Sequence, residues 1–185
     1  MIGGVFLLTR KSQTFTTVSL VYMALLVALN LVLMRVLRFE LGAYRITIGH
    51  IATIMAGLWL GPVSGAICGL AADLLGCLLD GYAVNPIITV GAMLWGILPA
   101  VALRKMESRG KKAQSLGITL AVCCTCILSI IGCTTAGLVL LLGYNFYAII
   151  PGRIVLAAMM AVIYSILSNL LYFSPVTKMI RQSEP

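Results

Sequence analysis

Six apolar runs divide the chain, at about 15–37, 46–60, 63–79, 86–103, 116–142 and 154–173, and short stretches between them hold most of the charge. No other feature narrows the possible folds so far. A backbone surrounded by hydrocarbon must satisfy its own N–H and C=O groups, so each run has to be a helix or part of a closed barrel. The runs are too long and too evenly apolar for barrel strands, which alternate residue by residue. Composition agrees: 61% of the 185 residues are hydrophobic and 10% are charged, against about a quarter charged in a soluble domain. The expectation is one all-α membrane domain, a six-helix transmembrane bundle over residues 1–185 embedded in a lipid bilayer. The second and third runs, divided by Gly61-Pro62, are short. Fifteen helical residues rise roughly 22 Å, less than the ~30 Å hydrocarbon core, so this pair either spans with tilt or thinning or enters and returns.

Lys and Arg in short loops set orientation. Arg10, Lys11, Arg104, Lys105, Arg109, Lys111, Lys112, Lys178 and Arg181 fall on one side; Arg35, Arg38, Arg45 and Arg153 fall on the other. The larger set belongs in the cytoplasm, which places both termini and a loop at 104–115 inside. The N-terminal "MIGGVFLLTRKSQ" carries its charges after its short apolar stretch, unlike a secretory signal, and is expected along the cytoplasmic membrane surface. The outer cations are all arginine. Its planar fork suits carboxylate or phosphate, so the group suggests an anion-capturing outer pocket. Snorkelling, or pairing with Glu40 and Asp80, is the plainer account of any single arginine.

Within the runs, Gly57, Gly61, Gly65 and Gly69 recur every four residues. Such a ladder lets helices approach closely where lipid supplies no hydrophobic drive between them. Asp73 extends the same face and must point into the bundle, because an acid at mid-depth needs a partner or a proton. Arg45, Arg153, Thr89 and Thr125 are candidate partners, and the acid is either a structural knot or a ligand contact. Ala24-x-x-x-Ala28 in "MALLVALN" forms a flat notch, for internal packing or for docking to another membrane protein. Trp95 lies deeper than the interfacial belt; Tyr44, Tyr82, Tyr144, Phe146 and Tyr147 fall in outer loops, where belt anchoring accounts for most of them. A flat aromatic ligand also stacks on such rings. The six cysteines lie in apolar runs and read as packing residues, with no disulfide framework or metal site.

Several activities lack their residues. "RGKKAQS" (109–115) has the Gly-Lys of a phosphate loop without its upstream glycine, so the chain does not use ATP itself. His50 is the lone histidine, which leaves little for transition-metal transport or acid–base catalysis. Ser64 is not in a nucleophile motif. No basic face suits nucleic acid, and nothing calls for a cofactor.

Six short helices with both ends inside, the alanine notch and the missing nucleotide site together resemble the S component of an energy-coupling factor (ECF) vitamin transporter. "YRITIGHIATIMAGLWLGPVSGAICGLAADLLG" (44–76) is similar to the folate-type S component in its Arg-Ile-Thr-Ile-Gly, its Gly-x-x-x-Gly-Pro and its Ala-Asp-x-x-Gly. "PGRIVLAAMM" (151–160) resembles that family's arginine near the start of the last helix. The stretch before the fourth run departs from the family's Gly-Phe-Thr, with Asn85 and Thr89 standing in its place. The resemblance implies a non-enzymatic binding subunit that captures a vitamin from outside at the cell membrane. It would join a transmembrane T component through Ala24 and Ala28, with two cytosolic ATPases, and topple to release its cargo. For folate, Arg45 and Arg153, with Arg35 in the same rim, would hold the carboxylates. Trp95 and Tyr44 would stack on the pterin, Asp73 would accept from its N–H groups, and Asn85 and Thr89 would complete the site. Other readings are an S component for pantothenate, riboflavin or a queuosine precursor, an integral-membrane enzyme built on Asp73 and His50, or a membrane scaffold.

Overall fold

The computed structural model describes residues 16–41 and 44–183, without the side chains of 40, 41, 44, 45 and 181–183. The N-terminal stretch expected along the membrane surface lies outside the described residues. Helix α1 (Thr17–Val36) leads into a two-stranded antiparallel hairpin, β1 (Arg38–Leu41) and β2 (Tyr44–Thr47). Then follow α2 (His50–Leu60), α3 (Pro62–Asp80) and α4 (Pro86–Met106). Helix α5 (Lys111–Cys126), a π-helical segment (Ile127–Thr134) and α6 (Thr135–Leu142) form one continuous rod. Helices α7 (Phe146–Tyr172) and α8 (Pro175–Ser183) complete the chain.

Five of these rods are long and apolar enough to cross a membrane. Their outward faces are Leu, Val and Ile, such as Leu25 on α1 and Val162 and Ile166 on α7, the composition lipid requires. The protein is a multi-pass membrane protein, and its described residues form six apolar rods, five of spanning length and one shorter, in line with the six runs of the sequence. Helix α3, read from sequence as short, has 19 residues and is of spanning length. Helix α2 is the short one. Its 11 residues rise roughly 16 Å. Ile46 and Thr47, read as the start of its run, belong to β2 instead.

Helix α2 survives its shortness by avoiding lipid. Nine of its residues are buried, and an apolar helix without a polar face belongs in an interior. The hairpin continues from its start, and α8 meets its other end, where Trp59 Nε1 donates to Thr177 Oγ1 at 3.0 Å. Ile180 of α8 is also buried.

The glycine ladder works across helices. A methyl group added at Gly65 would lie 2.7 Å from Gly57 Cα and 2.8 Å from Gly96 O. One added at Gly57 would strike the Gly96 carbonyl, and one at Gly69 the Ala92 carbonyl. Helices α2, α3 and α4 thus meet backbone to backbone, and Gly96 is the partner that the four-residue spacing left unnamed. Gly61, between α2 and α3, has φ 99°, a conformation glycine adopts without the penalty of a Cβ.

Helix ends differ from the sequence boundaries for local reasons. Asn85 accepts from Ile87 N and Ile88 N and starts α4. Asn145 caps α7 through Tyr147 N, so that helix begins at Phe146 and takes in Pro151 and Arg153. Lys111 and Lys112, expected in the loop, open α5, where Gln114 Nε2 donates to Glu107 O and Arg109 O. Consecutive rods alternate in direction, giving the bundle a hairpin end and a basic-loop end.

Candidate binding site at the hairpin end

The hairpin sits where α1, α3 and α7 converge. Its register pairs Arg38 with Thr47, Phe39 with Ile46, Glu40 with Arg45 and Leu41 with Tyr44. The backbones of Tyr44 and Arg45 are therefore in β2, and the roles given to their side chains lie outside the described residues. At the hairpin's base, Arg38 Nη1 lies 3.2 Å from Asp80 Oδ2, at the end of α3. Arg35, expected at the ligand, reaches the other oxygen of the same carboxylate: Nη2 is 3.0 Å from Asp80 Oδ1. It also donates to Leu31 O and Gly76 O, both at 3.3 Å. Its described contacts are those of the plainer account, pairing with Asp80.

Beneath the hairpin is an aromatic stack. His50, the first residue of α2, lies parallel to Trp95 of α4, with centroids 4.9 Å apart and planes at 6°. Tyr164 of α7 packs on Trp95 at 4.8 Å and 58°, and its hydroxyl donates to Thr47 O. Trp95 is 1% exposed. Its ring already has His50 against one face, so in this structure it supports the base of the site and is not open to a ligand.

Arg153 is only 5% exposed. The sequence placed it at the mouth of the last run; α7 instead carries it more than a turn inside the helix. It lies on the stripe Ile149, Arg153, Leu156, Ala157, Met160 and Tyr164, all buried, whose spacing of three and four marks the inward face. A guanidinium on the core-facing stripe of a membrane helix costs several kcal/mol unless it is engaged, which makes Arg153 a candidate for the site.

Asp73, Thr89 and Asn85 come together as a chain. Thr89 Oγ1 is 2.6 Å from Asp73 Oδ2 and 3.0 Å from Asn85 O. Asn85 also donates to Gly137 O of α6 at 3.1 Å, so its amide closes a helix start and joins two helices. Asp73, His50, Asn30 and Thr53 border a cavity of about 10 Å³, room for about one water molecule. Asn30 Nδ2 donates to Thr53 Oγ1 at 2.7 Å. Asn30 and Tyr164 were not singled out from sequence. Both are polar groups inside apolar runs, the signal that exposed Asp73.

Ala24 and Ala28 are exposed. With Val27, Ile67 and Ala71 they line an open apolar groove of about 350 Å³ between α1 and α3. The notch read from sequence is thus half of a two-helix groove on the lipid-facing side, away from the aromatic stack.

Comparison with known proteins bears on this arrangement. The family described as "ECF transporter, substrate-specific component" matches residues 18–180. A curated relative, the folate transporter FolT of Clostridium novyi (strain NT), is 27% identical over 154 residues, covering 80% of this chain and 83% of that one. Among solved structures, FolT bound with folic acid superposes with a TM-score of 0.70 at 25% identity, over 86% of this chain and 98% of that one. The S component of a bacterial ECF transporter gives a TM-score of 0.63 at 23% identity, over 83% and 92%, a likeness of fold.

Proposed function

The chain belongs to the family of substrate-specific components of ECF transporters, and from that premise we propose that it captures folate at the outer face of the cell membrane. Partner subunits then drive uptake with ATP. The observation that carries the reading is Arg153, a guanidinium 5% exposed on the inward stripe of α7; the second arginine of the reading, Arg45, is on β2. Two arginines from separate elements suit a ligand with two carboxylates, as each forms a forked, charge-assisted pair. The likeness to FolT, in sequence and to its folic acid complex, supports this ligand over other vitamins.

The remaining roles follow. Tyr44 stands beside Arg45 on the hairpin and would stack on the pterin. Trp95 sets the depth of the floor through His50. Asp73, Thr89 and Asn85 tie α3, α4 and α6 below the site, with Asp73 within reach of pterin N–H groups if the small cavity opens. The chain binds its ligand without transforming it. Its partners are a transmembrane T component and two cytosolic ATPases, and the Ala24–Ala28 groove receives the T component: small residues there allow a partner helix to approach its backbone.

Titration of the purified full chain with folate, by calorimetry in lipid nanodiscs, tests the reading. Arg45→Ala and Arg153→Ala should each weaken binding roughly 10- to 100-fold, the loss of a hydrogen-bonded charge pair. Tight folate binding that survives both changes together would overturn the assignment of these arginines. Tight binding of pantothenate or riboflavin with none of folate would overturn the ligand.

A further inference from the structure

The geometry points to Asp80 and Tyr164 as two positioning residues that pin opposite sides of the hairpin base, and so set where Arg45 stands; only the effect on ligand exchange rests on the function proposed above. A two-stranded hairpin is at best marginally stable alone, so its position must come from contacts at its base. The base is the pair Arg38 and Thr47, directly opposite in register. Each member is held by a different helix. Arg38 is tied to Asp80 of α3 at 3.2 Å; Thr47 accepts from the Tyr164 hydroxyl of α7.

The two pins differ in kind. On the β1 side one carboxylate serves two arginines, Arg35 at 3.0 Å and Arg38 at 3.2 Å, which flank the helix end at Leu37. Asp80 therefore ties the last turn of α1 to the first residue of β1 across the bend between them. On the β2 side the bond is buried: Tyr164 is 1% and Thr47 6% exposed. Thr47 Oγ1 also accepts from Gly49 N at 3.2 Å, which joins the strand to the start of α2. Arg45 is two residues from Thr47, about 6.6 Å along the strand, so any shift of the base is passed to it directly. Neither Asp80 nor Tyr164 has to touch the ligand to govern how it is held.

Hydrogen–deuterium exchange on the full chain in nanodiscs, without ligand, reads the pins directly. Asp80→Asn and Tyr164→Phe should each speed exchange of the hairpin amides, 38–41 and 44–47, by about tenfold, and the double variant by more than either. Asp80→Glu, which keeps the charge, should restore most of the protection. Peptides from α4 and α5 should be unchanged. Folate dissociation should quicken by a similar factor in both single variants. Faster hairpin exchange in a protein that does not bind folate would sustain the pins and sink the proposed ligand. Hairpin exchange unchanged in Asp80→Asn, which is at the bundle's edge and leaves the core intact, would overturn the pins. So would an increase spread evenly over α3 and α7.

Discussion

Asp73 shows how a single side chain acquires its meaning. From sequence it is an acid in an apolar run, to be explained as a knot or as a ligand contact. In the structure its Oδ2 lies 2.6 Å from Thr89 Oγ1, so it ties α3 to α4. Thermal unfolding in detergent separates the contributions. Asp73→Asn keeps an acceptor for Thr89 and should melt close to the parent protein. Asp73→Ala removes it and should lose about 0.5–2 kcal/mol, the range for hydrogen bonds between membrane helices. Equal melting of the two variants would show that the Thr89 bond contributes nothing. Arg153 offers the complementary case. Arg153→Lys keeps the charge but not the fork, and should weaken folate by roughly tenfold while leaving the melting temperature near the parent's.

Helices α2, α3 and α4 are held by absence of side chain. At Gly57, Gly65 and Gly96 the facing surface is backbone, which cannot yield. Gly96→Ala should therefore cost about 1–3 kcal/mol, the usual penalty of overpacking, and lower the melting temperature. Gly76 is the control: the nearest atom to an added Cβ is Leu31 Cδ2 at 3.9 Å. Gly76→Ala should be neutral or stabilising by up to about 1 kcal/mol, because glycine is a poor helix former. A melting curve for Gly96→Ala that overlays that of Gly76→Ala would contradict this packing. The π-helical turn at Ile127–Thr134 is a second local device. Gly91 of α4 fits against it, since a methyl there would lie 3.0 Å from Cys133 Cβ and 3.1 Å from Ser129 Oγ.

Taken as one body in a membrane, the bundle presents a polar hairpin end, a basic-loop end and an apolar groove between α1 and α3. The groove predicts a separation of functions. Ala24→Trp and Ala28→Trp fill it without reaching the aromatic stack. Each should leave folate affinity within about threefold and abolish co-purification with the T component, because a large ring blocks close helix approach. Loss of both properties together would mean that the groove is only internal packing. Orientation has its own test. In a background with the six native cysteines replaced, Tyr82→Cys should react with an impermeant maleimide on intact cells. Arg109→Cys should react only after permeabilisation. The reverse result would place the candidate site on the cytosolic side and end the uptake reading.

Six apolar runs, the close-packing glycines and the alanine notch were legible in the chain, and the charge counts gave an orientation that the labelling experiment tests. They are local statements: hydropathy, charge counts and spacings of three or four follow from the covalent order and the pitch of a helix. Which groups meet across helices is another matter. That Asp80 takes both Arg35 and Arg38, that Gly96 faces Gly57 and Gly65, that His50 covers Trp95, and that Arg153 is inside α7 and not at its mouth all required the tertiary structure. The reason is physical. In lipid every helix is apolar on most faces, so hydropathy does not rank one neighbour above another; the fit of backbone to backbone and the pairing of a few buried polar groups choose among them.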